Sequence, residues 1–205
     1  MKKKSEILMP GYKLYEYLLV LNPHEELKNR IKEIRADFNK EYSIVTPTGA
    51  KPNLALVRFE QLEMTEERII NKLKRIAQGY PPFKVDLKDF GSFPSHTIFI
   101  NTLSKVPIQN LVKEIRSETQ SLMKLTDDKK PYFIMEPHIT IGRKLKPWQY
   151  EKGWLEFSNK HFTGRFIADE ILLLKRLAGK RNWMVAKRFQ FENMPIATKQ
   201  GELFS

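Results

Sequence analysis

The sequence contains no cysteine. That absence removes disulfides, thiolate-held metals and thiol nucleophiles from the possible chemistry. Histidine is scarce too: four are scattered along 205 residues with no pair at metal-ligand spacing, so neither a metal nor a cofactor is expected. No apolar run approaches the roughly 20 residues that a membrane span needs, and no membrane partner is expected. The opening Met-Lys-Lys-Lys has the look of a signal peptide. Pro10, Gly11, Lys13 and Glu16 break up the apolar stretch that would have to follow, so a cytoplasmic chain is expected. Acidic residues are in deficit: 24 Asp and Glu against 36 Lys and Arg leave a net charge of +12. Such a surplus suits polyanions such as RNA or nucleotides, or serves solubility alone.

What the sequence does hold is one phrase written twice. Positions 51–59 read KPNLALVRF and positions 136–143 read EPHITIGR. Each has a charged residue, a proline, a polar position, an alternating apolar run and an arginine. The stretches before them match as well. YEYLLVLNP is an apolar run of strand formers, with Asn22 placed to cap a helix whose stripe is Leu27, Ile31, Ile34 and Phe38. Pro47 and Gly49 break the chain before the first copy of the phrase. Thr65 is placed to cap a second helix, with Ile69, Leu73 and Ile76 inward and Gly79 at its end.

FKVDLKDFGSF alternates as a half-exposed strand, and then the order repeats. SHTIFINTL is a strand, Pro107 opens a helix with Leu111, Ile115 and Leu122 on one face, and a polar loop leads to EPHITIGR. The aromatic segment 147–166 predicts one or two short helices. EILLLKRLAGKRNWMVAKRFQFE predicts a hairpin bent at Ala178-Gly179. The repeat implies one α+β domain over 1–205, ordered from about 15 to 192, whose two related lobes share a core; a poorly ordered tail is expected over 194–205.

Alternate residues of a strand share a face, so His138 and Thr140 point the same way. An imidazole exchanges protons near neutral pH, and a hydroxyl beside it can hold a phosphate oxygen. Alone, such a pair is more often structural than catalytic. Its place in the second copy of a repeat is what draws attention to it. In the first copy the same slots hold Asn53 and Ala55.

EPHITIGR, preceded by KPYF and followed by the aromatic segment and basic hairpin, resembles the second signature motif of the 2H phosphoesterase superfamily. The bacterial 2'-5' RNA ligase-like branch, which includes cyclic nucleotide phosphodiesterases, matches in element order from about Tyr15 to Glu192. The resemblance implies a bilobal fold of two pseudo-symmetric lobes with mostly antiparallel sheets around a central basic cleft. It also implies a metal-free pair of His-x-Thr/Ser strands acting as acid and base on a 2',3'-cyclic or 2'-5' phosphodiester. His138 and Thr140 fit the second motif, and Arg143 fits a basic residue following it.

The first motif falls at Asn53 and Ala55, where the pattern fails. Asparagine does not titrate and alanine offers no phosphate contact. Losing an acid or base removes a factor of roughly a hundred to ten thousand in rate. His96 is the candidate replacement, although Thr97 follows it directly and faces the other way. His24 and His161 read as structural. Strict alternation puts Arg143 on the face opposite His138, so it reaches the cleft only if the strand ends or bulges near Gly142, and Arg58 is under the same condition. Three readings stay open: an enzyme using His138 alone or with His96, a weakened protein that binds RNA or nucleotides, and a scaffold. A monomer is the simplest expectation.

Overall fold

The computed structural model describes residues 11–44 and 51–194. Met-Lys-Lys-Lys, Pro47, Gly49 and the tail from 195 lie outside the described residues. The elements run β1 (Leu14–Leu21), α1 (Glu25–Glu41), β2 (Leu54–Leu62), α2 (Glu66–Gly79), β3 (Phe83–Phe93), β4 (Thr97–Thr102), α3 (Lys105–Met123), β5 (Tyr132–Phe133), β6 (His138–Arg143), α4 (Pro147–Phe157), β7 (Thr163–Ala168), β8 (Glu170–Leu177) and β9 (Met184–Gln190). They form two antiparallel sheets, ordered β5-β2-β1-β8-β9 and β6-β4-β3-β7. This is the bilobal α+β architecture that the repeat implies.

The repeat is visible in the pairing. β1 and β2 are antiparallel neighbours joined through α1; β4 and β6 are antiparallel neighbours joined through α3. The helices, however, are exchanged. α1 packs on β6 and β7 of the second sheet, while α3 packs on β2 of the first sheet and on α2. Each copy therefore covers the apolar face of the other copy's sheet, and a single core runs through both lobes. Separating the lobes would expose both inner faces, which binds them as one unit.

Phe38 shows how tight this exchange is. It leaves α1, sits 1% exposed, and meets Phe157 of α4 edge-on at 5.3 Å between ring centres. Across the interface lies Gly142 of β6. A methyl group there would stand 2.5 Å from Phe38 Cε1, closer than two carbons can approach.

Three local expectations are corrected. The first residue before α1 to act as cap is His24, not Asn22: its Nδ1 accepts from the Leu27 amide at 3.3 Å. Its Nε2 donates to the Arg165 carbonyl at 3.1 Å, so one tautomer satisfies both bonds. Asn22 turns instead to Glu170 across 3.4 Å. Thr65 makes no capping hydrogen bond, because a 3-10 turn over Glu63–Thr65 winds directly into α2. The segment after α4 is a strand: Phe166 and Ala168 are buried while Arg165 and Ile167 are exposed, a period of two hidden among the aromatics.

Gly142→Ala should cost about 1–3 kcal/mol of stability in urea unfolding, the usual penalty of overpacking. Combining it with Phe38→Leu, which trims the opposing ring, should cost less than the sum of the two single changes.

Candidate functional site

A cleft of about 780 Å³ opens between the two sheets, and both copies of the phrase line it. Asn53, Ala55 and Arg58 come from the first copy; His138, Thr140 and Arg143 come from the second. The two triplets share one order of burial: half-buried, buried, half-buried, buried, buried, exposed, over residues 53–58 and over 138–143 alike.

That order is not strict alternation, and the pairing shows why. In β2, Ala55 and Val57 face the consecutive residues Val20 and Leu19, so Leu56 is an extra residue. In β6, Thr140 and Gly142 face the consecutive residues Phe99 and Ile98, so Ile141 is an extra residue at the matching position. An inserted residue shifts the alternation by one, which turns Val57 and Gly142 inward and Arg58 and Arg143 toward the cleft. The Leu56 carbonyl is taken by the Ile134 amide at 2.8 Å, which fixes the first bulge.

When neutral, His138 is held in one tautomer by its backbone neighbour. Its Nδ1 lies 2.7 Å from the Glu136 carbonyl, which can only accept, so Nδ1 carries the hydrogen and Nε2 keeps its lone pair. Phe99 and Phe93 flank the ring at 4.6 and 5.1 Å. Burial pushes the imidazole below its ordinary value, outweighing the opposing pull of the Glu136 carbonyl and carboxylate. At neutral pH His138 is an uncharged base.

The charge around it is mostly positive. Burial, then the neighbouring guanidiniums of Arg58 and Arg176, push Arg143 below the usual arginine range. Arg35, deep in the cleft wall, is pushed down to about 10 by burial and by Arg143. Its Nε donates to the Thr140 carbonyl at 2.8 Å, which ties α1 to the back of the site. The acids that line the cleft are already engaged: Glu25 with Lys28 at 2.7 Å and Glu136 with Lys105 at 2.9 Å. Arg176 pairs with Glu16 at 2.5 Å and stacks on Trp183 at 4.5 Å. Among the described residues no carboxylate pairs with Arg58 or Arg143. Like charges held together in this way are stabilised by a bound anion.

Asn53 stands where a histidine would mirror His138. Its Oδ1 is buried and has no hydrogen-bond partner among the described residues, an unusual state for a buried acceptor. His96 is exposed in the turn before β4, and it is not among the cleft residues. The register explains its distance: β4 runs from Thr97, opposite Arg143, to Asn101, opposite His138, so His96 lies beyond the far end. His161 is exposed beside Asp89 at 3.3 Å. No cluster of three metal-ligating side chains exists among the described residues, and none of their helices is long and apolar enough to cross a membrane.

Two cleft-lining residues, Arg35 and Trp183, escaped the sequence reading. Arg35 was visible as a charge on the Ile31–Phe38 stripe. Trp183 carried no periodic signal, being in the bend between β8 and β9.

The sequence pattern of the 2'-5' RNA ligase superfamily matches residues 23–180. The chain belongs to this superfamily. It is 26% identical over 180 residues to a Geobacillus kaustophilus protein named "Putative phosphoesterase", covering 85% of this chain and 95% of that one. A Halalkalibacterium halodurans protein of the same name is 22% identical over 178 residues, covering 85% and 96%. Among solved structures, Escherichia coli LigT in apo form has a TM-score of 0.64 at 18% identity, covering 87% of this chain and 98% of LigT. LigT complexed with 3'-AMP gives 0.61 at 18%, with the same coverage. At these identities the likeness is one of fold, and it places the superfamily's two-lobed frame around the cleft.

His138 should titrate below 6.5 by NMR, with nitrogen shifts reporting a hydrogen on Nδ1. Because the folded value is depressed, the unfolded chain takes up the proton first as pH falls. The stability contributed by neutral His138 is therefore complete above about 6.5 and is lost as pH falls through the folded value. His138→Gln should flatten that part of the stability profile.

Proposed function

We propose that this protein binds the phosphodiester or terminal phosphate of RNA or a nucleotide between Arg58 and Arg143. In this reading His138 Nε2 is the general base, the Thr140 hydroxyl holds a phosphate oxygen, and Asn53 contacts the ligand without titrating. Paired acid–base turnover of 2',3'-cyclic phosphodiesters is weak, because nothing at position 53 can carry a proton.

The observation that carries this reading is the matched pair of bulges. They deliver two guanidiniums that no carboxylate neutralises, beside an imidazole held as a base. Guanidinium suits phosphate oxygens through paired N–H donors. Membership in the superfamily agrees with a phosphoester ligand, and LigT has been crystallised with phosphate, 3'-AMP and ATP. The net charge of +12 supports attraction of a polyanion. His96 has no part in this site, since it lies outside the cleft.

Calorimetric titration with inorganic phosphate and 3'-AMP tests the reading. Arg58→Ala and Arg143→Ala should each weaken binding at least about tenfold, the range expected for a lost charged hydrogen bond. Binding of single-stranded RNA should fall steeply as salt rises. Affinity untouched by either arginine, or by salt, would overturn the reading, and no anion binding at all would leave the scaffold reading in its place.

A further inference from the structure

The asymmetry of the cleft bears on which bonds it can break. A phosphodiester reaction needs a base for the attacking oxygen and, when the leaving group is an alkoxide, an acid to protonate it. The second copy supplies the base: Nδ1 of His138 is committed to the Glu136 carbonyl, so Nε2 can take a proton. The first copy supplies Asn53 and Ala55, neither of which can give one. The cleft's two carboxylates, Glu25 and Glu136, are tied to Lys28 and Lys105; Lys28, itself a cleft residue, is held on Glu25 at 2.7 Å, and the remaining lysine and tyrosine, Lys51 and Tyr132, are exposed. Arg58 and Arg143 can stabilise negative charge but do not release protons at neutral pH.

Resting on the phosphate-binding reading above, the geometry points to a base-only hydrolase. It is selective for nucleotide phosphodiesters and phosphoanhydrides whose leaving group departs as a stable anion. In the step, the water oxygen forms a bond to phosphorus while its proton passes to His138 Nε2. The bond from phosphorus to the leaving oxygen breaks, and its electron pair leaves with that oxygen as a phenolate or a phosphate. The imidazolium then returns its proton to solvent. The substrate class is a nucleoside phosphate joined to a second phosphate or to an acidic hydroxyl, and the product is a nucleoside monophosphate. A 2',3'-cyclic phosphate lies outside it, because its leaving oxygen is an alkoxide.

The test compares three substrates with the full-length protein: the nitrophenyl ester of a nucleoside 5'-phosphate, a dinucleoside diphosphate, and a 2',3'-cyclic nucleotide. Turnover of the first two is expected, with that of the third slower by at least about a hundredfold. His138→Ala and His138→Gln should each lower that turnover about a hundredfold or more. Asn53→His with Ala55→Thr should raise the rate on the cyclic substrate relative to the nitrophenyl ester by at least about a hundredfold, the worth of a restored acid.

Native turnover of the cyclic nucleotide comparable to that of the ester would overturn the inference, and would mean that Lys51, Tyr132 or another group supplies the proton. So would an equal gain on both substrates in the double variant. Nucleotide binding by calorimetry without turnover of either activated substrate would overturn the inference and leave phosphate binding standing. Absence of binding would overturn both.

Discussion

Leu56 and Ile141 occupy matching places in the two copies, each an extra residue that its neighbouring strand does not count. Most of what the cleft can do depends on those two insertions. Without them Arg58 and Arg143 would follow strict alternation and point at the packed core, where a guanidinium has no partner and a high desolvation cost. With them, the two residues that turn inward are Val57 and Gly142, which the core accepts. The same shift fixes the need for glycine at 142, since Phe38 of the exchanged helix fills the space that a side chain would take. One irregularity in each ladder thus links the packing of the lobes to the charge of the site.

The backbone has kept its twofold likeness while the side chains have diverged. Residues 53–58 and 138–143 share bulge, burial and arginine, so both phrases remain shaped to face one ligand. Only the second carries an imidazole and a hydroxyl. The stranded Oδ1 of Asn53 fits a site in which a ligand, not the protein, completes the hydrogen bonding. On the proposed reading, a positive cleft with His138 as its base and Asn53 opposite favours holding phosphates, and favours breaking only those bonds that need no proton delivered to the leaving oxygen.

Much of this was readable in the chain, for physical reasons. Strand and helix periods are local, so the β1–α1–β2 and β4–α3–β6 units and the facing of His138 and Thr140 followed from spacing alone. The exchange of helices did not, because the stripe Leu27–Ile31–Phe38 says that a helix is covered and not which sheet covers it. The bulges were foreseen only as a condition for Arg58 and Arg143, with Gly142 as the suspected site. The inserted residue is Ile141, and Leu56 gives no sign of its role in an apolar run. β7 was hidden because Phe157, Phe162 and Phe166 satisfy several periods at once. His24 took the cap from Asn22 because a second acceptor, the Arg165 carbonyl, lies across the fold, beyond what neighbouring residues can reveal.

The central claim is that both copies of the phrase converge on one phosphate, and a crystal structure of the protein soaked with inorganic phosphate tests it most directly. The account predicts one ordered phosphate contacted by both the Arg58 and Arg143 guanidiniums, with a protonated phosphate oxygen donating to His138 Nε2 across about 2.7–3.2 Å. A phosphate seated instead at the basic bend between β8 and β9, or beside His96, with the space between the two arginines holding only water, would contradict it.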